Sequence, residues 1–355
     1  MAQLTYRRAH RPLVRYRRTP MSSARPGAEM SVVIPTHNRP DRCAALLRRL
    51  SAQSIGAGRF EVVVVDDCST DDTSVVLAAL VDEVPFRLVP LRTPANGGPA
   101  LARNLGWRAA SAPVVAFTDD DCDPEDGWLA AGLAAFGADP GLGVAQGRTR
   151  VPDGVDISKL QGWYVWRDVS AATPYFDACN VFYRRAALDG TGGFDEHIAW
   201  WSTRPGPGSA PIAWGEDSAA GWSVVEAGWG RGFVADAVVV HDVEDRGWLW
   251  HVRYGYLDRI IVALAVQHPG YRQEAFWRPW AYRREDAAFL AAVAGAAAAL
   301  RWRPAALAVL PYLWWRRPSV RRPRFAQVCA GNLAVDAARA VGQIHGALKY
   351  RTFVL

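Results

Sequence analysis

Apolar positions in this chain follow two rhythms. Ser31-Val-Val-Ile34 is a short β-branched run that ends at Pro35-Thr-His-Asn38, the pattern of a strand entering a loop. Residues 40–52 then place Leu46, Leu47 and Leu50 on one helical face, with Arg42, Arg48 and Arg49 at the other positions. Phe60-Glu-Val-Val-Val-Val65 is almost unbroken in its apolarity, as a strand covered on both faces must be. It stops at Asp66-Asp67-Cys68-Ser69-Thr70, where Ser69 or Thr70 is the expected cap of a helix reaching about residue 81. Phe86–Leu91 predicts a third strand, Ala100–Ala110 a helix, and Val114-Val-Ala-Phe117 a fourth strand. Such alternation predicts an α/β fold with a doubly wound, mainly parallel sheet. Ligands of these sheets sit beyond the carboxyl ends of the strands. Here those ends carry Pro35–Asn38, Asp66-Asp67 and Asp119–Asp123.

Between 150 and 250 the rhythm fades into Gly- and Trp-rich sequence, with nine of the sixteen Trp falling there. Beyond 285 two apolar runs, Ala287–Leu300 and Ala305–Trp315, flank Arg301-Trp-Arg303. Each is too short to span a bilayer alone. Three arrangements are open: helices packed on the body, helices lying at a membrane interface, or a re-entrant hairpin.

Composition narrows the class. The 355 residues are 50% hydrophobic and 21% charged, enough apolar material for a core. Five Cys without a C-x-x-C pair exclude a dense disulfide framework and a zinc ribbon, and predict a reducing, cytoplasmic setting. The N-terminus lacks the apolar stretch of a signal peptide, and Met21 is a second candidate start. The net charge of +6 is uneven: residues 1–30 carry +6, residues 301–355 carry +9, and the body between them about −9. An acidic body between basic ends does not suit a nucleic-acid groove. It suits either solvated basic tails, the first reading for residues 1–30, or ends that touch an anionic surface such as lipid headgroups at the inner face of the plasma membrane.

Asp119-Asp-Asp-Cys-Asp123 places four carboxylates within five residues directly after a strand. They repel unless a cation neutralises them, and Asp with open positions suits Mg²⁺ or Mn²⁺. Asp66-Asp67 can accept from a base N–H or ribose hydroxyl. Asn96-Gly-Gly-Pro leads into a helix with Arg103 one turn inside, a turn that lets backbone approach a phosphate. No G-x-G-x-x-G and no P-loop motif is present.

Ser31-Val-Val-Ile-Pro-Thr-His-Asn-Arg39, Val65-Asp-Asp-Cys-Ser-Thr-Asp71, Asn96-Gly-Gly with Ala102-Arg-Asn-Leu-Gly106, and Phe117-Thr-Asp-Asp-Asp121 together resemble the family 2 glycosyltransferases of GT-A fold. Asn180 with Arg184-Arg185, Gly192-Gly-Phe-Asp-Glu196 and Trp214-Gly-Glu-Asp217 extend the resemblance over roughly residues 30–245. It implies a GT-A-type mixed, mainly parallel sheet with a helical C-terminal extension. With the two ends, which the resemblance does not cover, four regions are expected: a disordered basic arm over 1–29, a nucleotide-sugar half over 30–130, an acceptor half over 131–250 and a helical extension over 251–355, open to a membrane-interfacial place.

The implied activity is inverting, metal-dependent transfer from a nucleotide-diphosphate sugar, with UDP first and dTDP or GDP as alternatives. On the donor side the resemblance places Pro35, Thr36, Asn38, Arg39, Asp66, Asp67, Asn96, Gly97, Arg103, Asp119 and Asp120. Within that set Pro35 and Asp67 would meet the base. Asp119 and Asp121, with His241, would serve Mn²⁺ or Mg²⁺. Glu216-Asp217 would supply the catalytic base, Asp217 itself. Trp200, Trp201, Trp214 and Asn180 would line the acceptor side, with Trp200-Trp201 beside Thr203–Ser209 read as part of a lid or an acceptor loop. The sequence departs from relatives after Asp217, running Ser-Ala-Ala-Gly-Trp-Ser223 where an acid or amide and an Arg are common. The acceptor is a glycan, a lipid-linked sugar or a small molecule. Alternatives are a polyprenyl-phosphate sugar synthase or glycan-chain enzyme at the membrane face, and a sugar-nucleotide or carbohydrate binding protein without catalysis.

Overall fold

The computed structural model describes residues 27–160, 163–200, 215–316 and 325–354. Its strands are β1 (Met30–Thr36), β2 (Phe60–Asp66), β3 (Arg87–Arg92), β4 (Val114–Phe117), β5 (Cys122–Pro124), β6 (Leu142–Arg150), β7 (Tyr164–Val165), β8 (Val181–Arg184), β9 (Gly230–His241) and β10 (Glu244–Asp245). The helices of the body are α1 (Pro40–Leu50), α2 (Thr73–Glu83), α3 (Pro99–Ala109), α4 (Trp128–Ala138), α5 (Arg185–Thr191), α6 (Glu196–Trp200) and α7 (Glu216–Glu226). The C-terminal part adds α8 (Gly247–Tyr256), α9 (Arg259–Gln267), α10 (Pro269–Ala275), α11 (Arg284–Ala299), α12 (Leu310–Arg316) and α13 (Phe325–Tyr350).

Eight strands form one mixed sheet in the order β3-β2-β1-β4-β8-β6-β9-β5. The first four run parallel, β8 is antiparallel to both neighbours, and β5 closes the far edge antiparallel to β9. The alternation of side chains assigns the two faces. Val33, Val63 and Val65 point into one core, and Val32, Ile34, Val62 and Val64 into the other. That is why the β2 run shows no polar alternation: both of its faces are covered by helices. Helix α1 begins with Pro40 in its first turn, ends on Arg48 and Arg49, and buries Cys43, Leu46, Leu47 and Leu50.

Two expected element ends move. Helix α2 starts at Thr73 rather than beside Ser69, because Ser69 and Thr70 instead bond the loop after β1. The second C-terminal apolar run is not one helix. It divides into a 3₁₀ stretch, Arg303–Val309, and the short α12, since Pro304 and Pro311 each remove a backbone donor. All five cysteines are unpaired. No described helix is long and apolar enough to cross a membrane.

The Gly192-Gly193 pair has a structural reason. Asn104 on α3 donates to the Phe194 and Glu196 oxygens at 2.7 Å each, and accepts from the Phe194 N–H and Trp107 Nε1. Gly193 covers this knot at φ +81°, and a Cβ there would stand 2.5 Å from Trp107 Nε1 and 2.6 Å from Asn104 Oδ1. Gly193→Ala therefore combines left-handed strain with overpacking, and should cost at least about 2 kcal/mol in urea unfolding.

Candidate functional site

The loops leaving β1 and β2 are strapped together. Asn38 and Cys68 hold positive φ (54° and 60°), unusual for non-glycine residues. The Ser69 hydroxyl accepts the Asn38 N–H at 2.8 Å, and Asn38 Oδ1 accepts the Thr70 N–H at 2.7 Å. Asp66 is fully buried and accepts from the Ser69 N–H and Arg92. His37 Nδ1 lies 2.8 Å from the Asp67 carbonyl, and Nε2 lies 3.1 Å from the Asn96 amide. That network assigns the proton to Nδ1. Asp67 ties the next loop down, accepting from Thr93 Oγ1 (2.7 Å) and the backbone N–H groups of Gly97 (3.0 Å) and Gly98 (2.7 Å). Burial raises its pKa against those bonds. The nucleobase contact expected of Asp67 thus competes with the turn, because a carboxylate has about four acceptor positions. Thr36 and Pro35 stand at the end of β1, with the Thr36 hydroxyl bonded to Asp120 at 2.8 Å.

In the acidic run after β4 each carboxylate meets an arginine. Arg103 Nη2 donates to Asp119 at 2.7 Å, Arg39 to Asp120 (2.8 Å) and Asp121 (3.1 Å), and Arg49 Nε to Asp123 (2.8 Å). Asp120 is buried, and burial together with Asp121 pushes its pKa up to about 6 against Arg39. It is a structural member of the run. Asp121 has a second neighbour. Register pairing of β5 with β9 sets Cys122 opposite His241, which brings His241 Nε2 to 3.7 Å from Asp121 Oδ1. His241 Nδ1 lies 2.7 Å from the Asp242 carbonyl, so it carries the proton and leaves the Nε2 lone pair facing Asp121. Among the described residues Asp121, Cys122 and His241 are the group whose donor atoms fall within 4.8 Å of one another. Cys122 is buried and its thiol pKa is driven up by desolvation, so it stays protonated and is no ligand for a hard cation. Asp121 and His241 fit one.

Beside Asp119 and His241 lies a cleft of about 640 Å³, within the range of small-ligand sites. Arg103, Asp119, Glu216, Asp217 and His241 line it together. Arg103 is the centre of this wall: buried, it donates to Asp119 and, through Nη1, to Glu216 Oε1 at 2.9 Å. The wall thereby joins α3, the strand end after β4 and the first turn of α7. Asp217 sits next in α7, half-buried, with its Oδ1 accepting the Ser218 N–H at 2.7 Å. Desolvation, then the neighbouring Glu216 and Asp177 charges, hold its pKa well above the ordinary 3.8 despite Arg103. Asp119 and Asp217 thus face one cleft, whereas Asp67 and Asp121 are not among its lining residues; Asp67 is tied to the wall only through its bonds to the Gly97–Gly98 turn that leads into α3.

Some expected residues fall elsewhere. Asn180, expected beside the acceptor, is buried with both polar atoms committed: Oδ1 accepts Trp128 Nε1, and Nδ2 donates to the Arg148 and Ala237 carbonyls. Trp201, Trp214, the Trp200 side chain and the lid over 203–209 lie outside the described residues. The sequence reading missed the far end of the cleft, which is walled by Arg167, Tyr254, Tyr282, Arg283 and Arg339. These residues come from the segment after β7 and from C-terminal elements, and follow no local motif that could have announced them.

Residues 31–194 match the family model described as glycosyl transferase family 2. Pre-mycofactocin glycosyltransferase of Mycobacterium tuberculosis is 29% identical over 255 residues, covering 68% of this chain and 48% of that protein. Poly(ribitol-phosphate) beta-N-acetylglucosaminyltransferase TarS of Staphylococcus aureus is 37% identical over 93 residues, 26% of this chain and 16% of TarS. The matched part thus spans about half the length of the first relative and less than a fifth of the second. The mannosyltransferase PcManGT of Pyrobaculum calidifontis, solved with GDP-Man and Mn2+, superposes with a TM-score of 0.65 at 24% identity. That likeness covers 90% of this chain and 87% of PcManGT, and is one of fold. Residues 31–194 are thus similar to glycosyl transferase family 2, and the Glu216-Asp217 pair that follows them lines the same cleft as Asp119.

Proposed function

We propose that this chain moves a sugar from a nucleoside-diphosphate sugar to an acceptor hydroxyl with inversion at the anomeric carbon. The observation that carries this reading is the placement of Asp217, with its raised pKa, on the same cleft wall as Arg103, Asp119 and His241. In the step, Asp217 takes the acceptor hydroxyl proton as the new C1–O bond forms. The bond from C1 to the phosphate oxygen breaks, and its electron pair leaves on the diphosphate. Attack from the face opposite the leaving group inverts the centre. Glu216 is a poorer base because Arg103 already holds it as a charged pair.

Asp121 and His241, with Asp119 nearby, are the residues that would hold Mn²⁺ or Mg²⁺, and the imidazole favours Mn²⁺. The ion, when bound, supplies positive charge to the departing diphosphate. The donor nucleoside is proposed as uridine first, with thymidine and guanosine as alternatives. The far wall with Arg167, Arg283 and Arg339 belongs to the acceptor.

Nucleoside-diphosphate release from UDP-, dTDP- and GDP-sugars with Mn²⁺ tests this reading. One donor should turn over, chelator should abolish the release, and His241→Ala should raise the Mn²⁺ requirement about 10- to 100-fold. Release that ignores chelator would remove the metal from the proposal. Retention of the donor's anomeric configuration in the product would remove the inversion.

A further inference from the structure

The C-terminal part carries a second surface, remote from sugar chemistry. Helix α11 starts beside Tyr282 and Arg283 of the cleft wall and runs 16 residues, about 24 Å, to the elbow formed by residues 300–316. That elbow is anchored on one side only. Tyr312 packs with Phe289, Ala292 and Ala340 in a small separate core. The Tyr312 hydroxyl donates to Asp336 at 2.9 Å, and Arg316 bonds the same carboxylate. The other side is open: Leu300 is 89% exposed and Trp302 65%, and the 3₁₀ stretch Arg303–Val309 buries no residue. Leu307, Leu310, Leu313, Trp314 and Trp315 are exposed after it. Seven large apolar side chains are thus exposed within 16 residues, a density that marks an interaction surface.

Charge identifies the partner. From residue 287 to 335 the sequence has seven Arg and no Asp or Glu. Arg301 and Arg303 are exposed within the elbow itself. A second copy would bring the same positive charge against this face, and no described helix can cross a bilayer. Trp and Leu beside exposed Arg match the interfacial layer of an anionic membrane, where indole rings sit at headgroup level and guanidinium groups meet phosphate. We propose that the 300–316 elbow docks this protein on membranes containing anionic phospholipid. The proposal stands independently of the sugar-transfer reading.

Co-sedimentation of the full chain with phosphatidylglycerol-containing and pure phosphatidylcholine vesicles tests it. The protein should pellet with the anionic vesicles and stay in solution with the neutral ones. Leu313→Ser/Trp314→Ser/Trp315→Ser should weaken binding at least about tenfold, and Arg301→Gln/Arg303→Gln or high salt should weaken it measurably. Val75→Ser, at an exposed apolar site on α2, should change nothing, and thermal melting with donor-nucleotide binding should be unchanged in every variant. Absence of vesicle binding, equal binding to neutral vesicles, or wild-type binding by the triple variant would each overturn the proposal. Self-association abolished by the triple variant, or binding to single-stranded RNA without vesicle binding, would assign the patch elsewhere and equally overturn it.

Discussion

Asp217→Asn should reduce turnover by about 10²- to 10⁴-fold while donor nucleotide binding stays near wild type. The amide keeps the shape of the side chain and cannot take a proton. Asp217 is set apart from the other cleft carboxylates by what does not hold it. Arginines bond Asp119 and Glu216, whereas among the described residues Asp217 is bonded only by the Ser218 N–H. Desolvation and the Glu216 and Asp177 charges raise its pKa, which makes it a stronger base once ionised. Turnover should accordingly rise with pH along an acid limb displaced upward from the ordinary carboxylate value of 3.8. The same shift fixes the sign for stability. A carboxyl with a raised folded pKa stabilises the fold fully below its unfolded value, and that contribution is lost as pH rises through the folded value. Near neutral pH the ionised Asp217 is therefore a cost, and Asp217→Asn should melt higher than wild type while turning over less. Kinetics of nucleoside-diphosphate release, calorimetric donor binding and melting curves check the three parts. A variant that retained more than a tenth of wild-type turnover would move the base to another residue.

How much of this site the sequence disclosed depended on whether a feature was local. The strands β1, β2 and β4 and the acidic residues at their ends were legible, because burial on both faces writes an uninterrupted apolar run that stops where the loop begins. Helices α1 and α3 showed for a similar reason, each with Pro in its first turn. The roles inside the acidic run were not legible. Spacing shows four carboxylates that need cations, and only the packed fold shows Arg39 and Arg49 from the two ends of α1 and Arg103 from α3 arriving to meet them. Asn180 misled for the converse reason: an exposed acceptor-side role and a core role with every polar atom bonded look the same in one dimension. His241 was named by the resemblance alone; the contact with Asp121 follows from the β5–β9 register, a pairing across more than 100 residues. The far wall, with Arg283 and Arg339, depends on how α13 packs on α8 and α9 and on where α11 begins beside them, and no motif encodes that.

Arg103→Met should destabilise the protein by about 3–5 kcal/mol, the loss typical of removing one partner from a buried ion pair. Arg103 and Glu216 are each only 6% exposed at the side chain, and Asp119 is 29% exposed. Removing the guanidinium leaves Glu216 charged in a low-dielectric wall, with Oε2 already buried and without a hydrogen-bond partner. Methionine fills much of the volume, so the cost measures charge rather than cavity. Glu216→Gln should be far milder, because Arg103 keeps Asp119 at 2.7 Å and the neutral amide tolerates burial. Arg103→Met/Glu216→Gln should then recover a substantial part of the loss, since the charge most deeply stranded by the first change is gone. Urea unfolding of the wild type, both single variants and the double variant gives the coupling directly. A double variant no more stable than Arg103→Met would show that Arg103 acts chiefly through Asp119. In that case the link from α3 to the first turn of α7 contributes little, and Asp217 must be held in place by Ser218 and the packing of α7 instead.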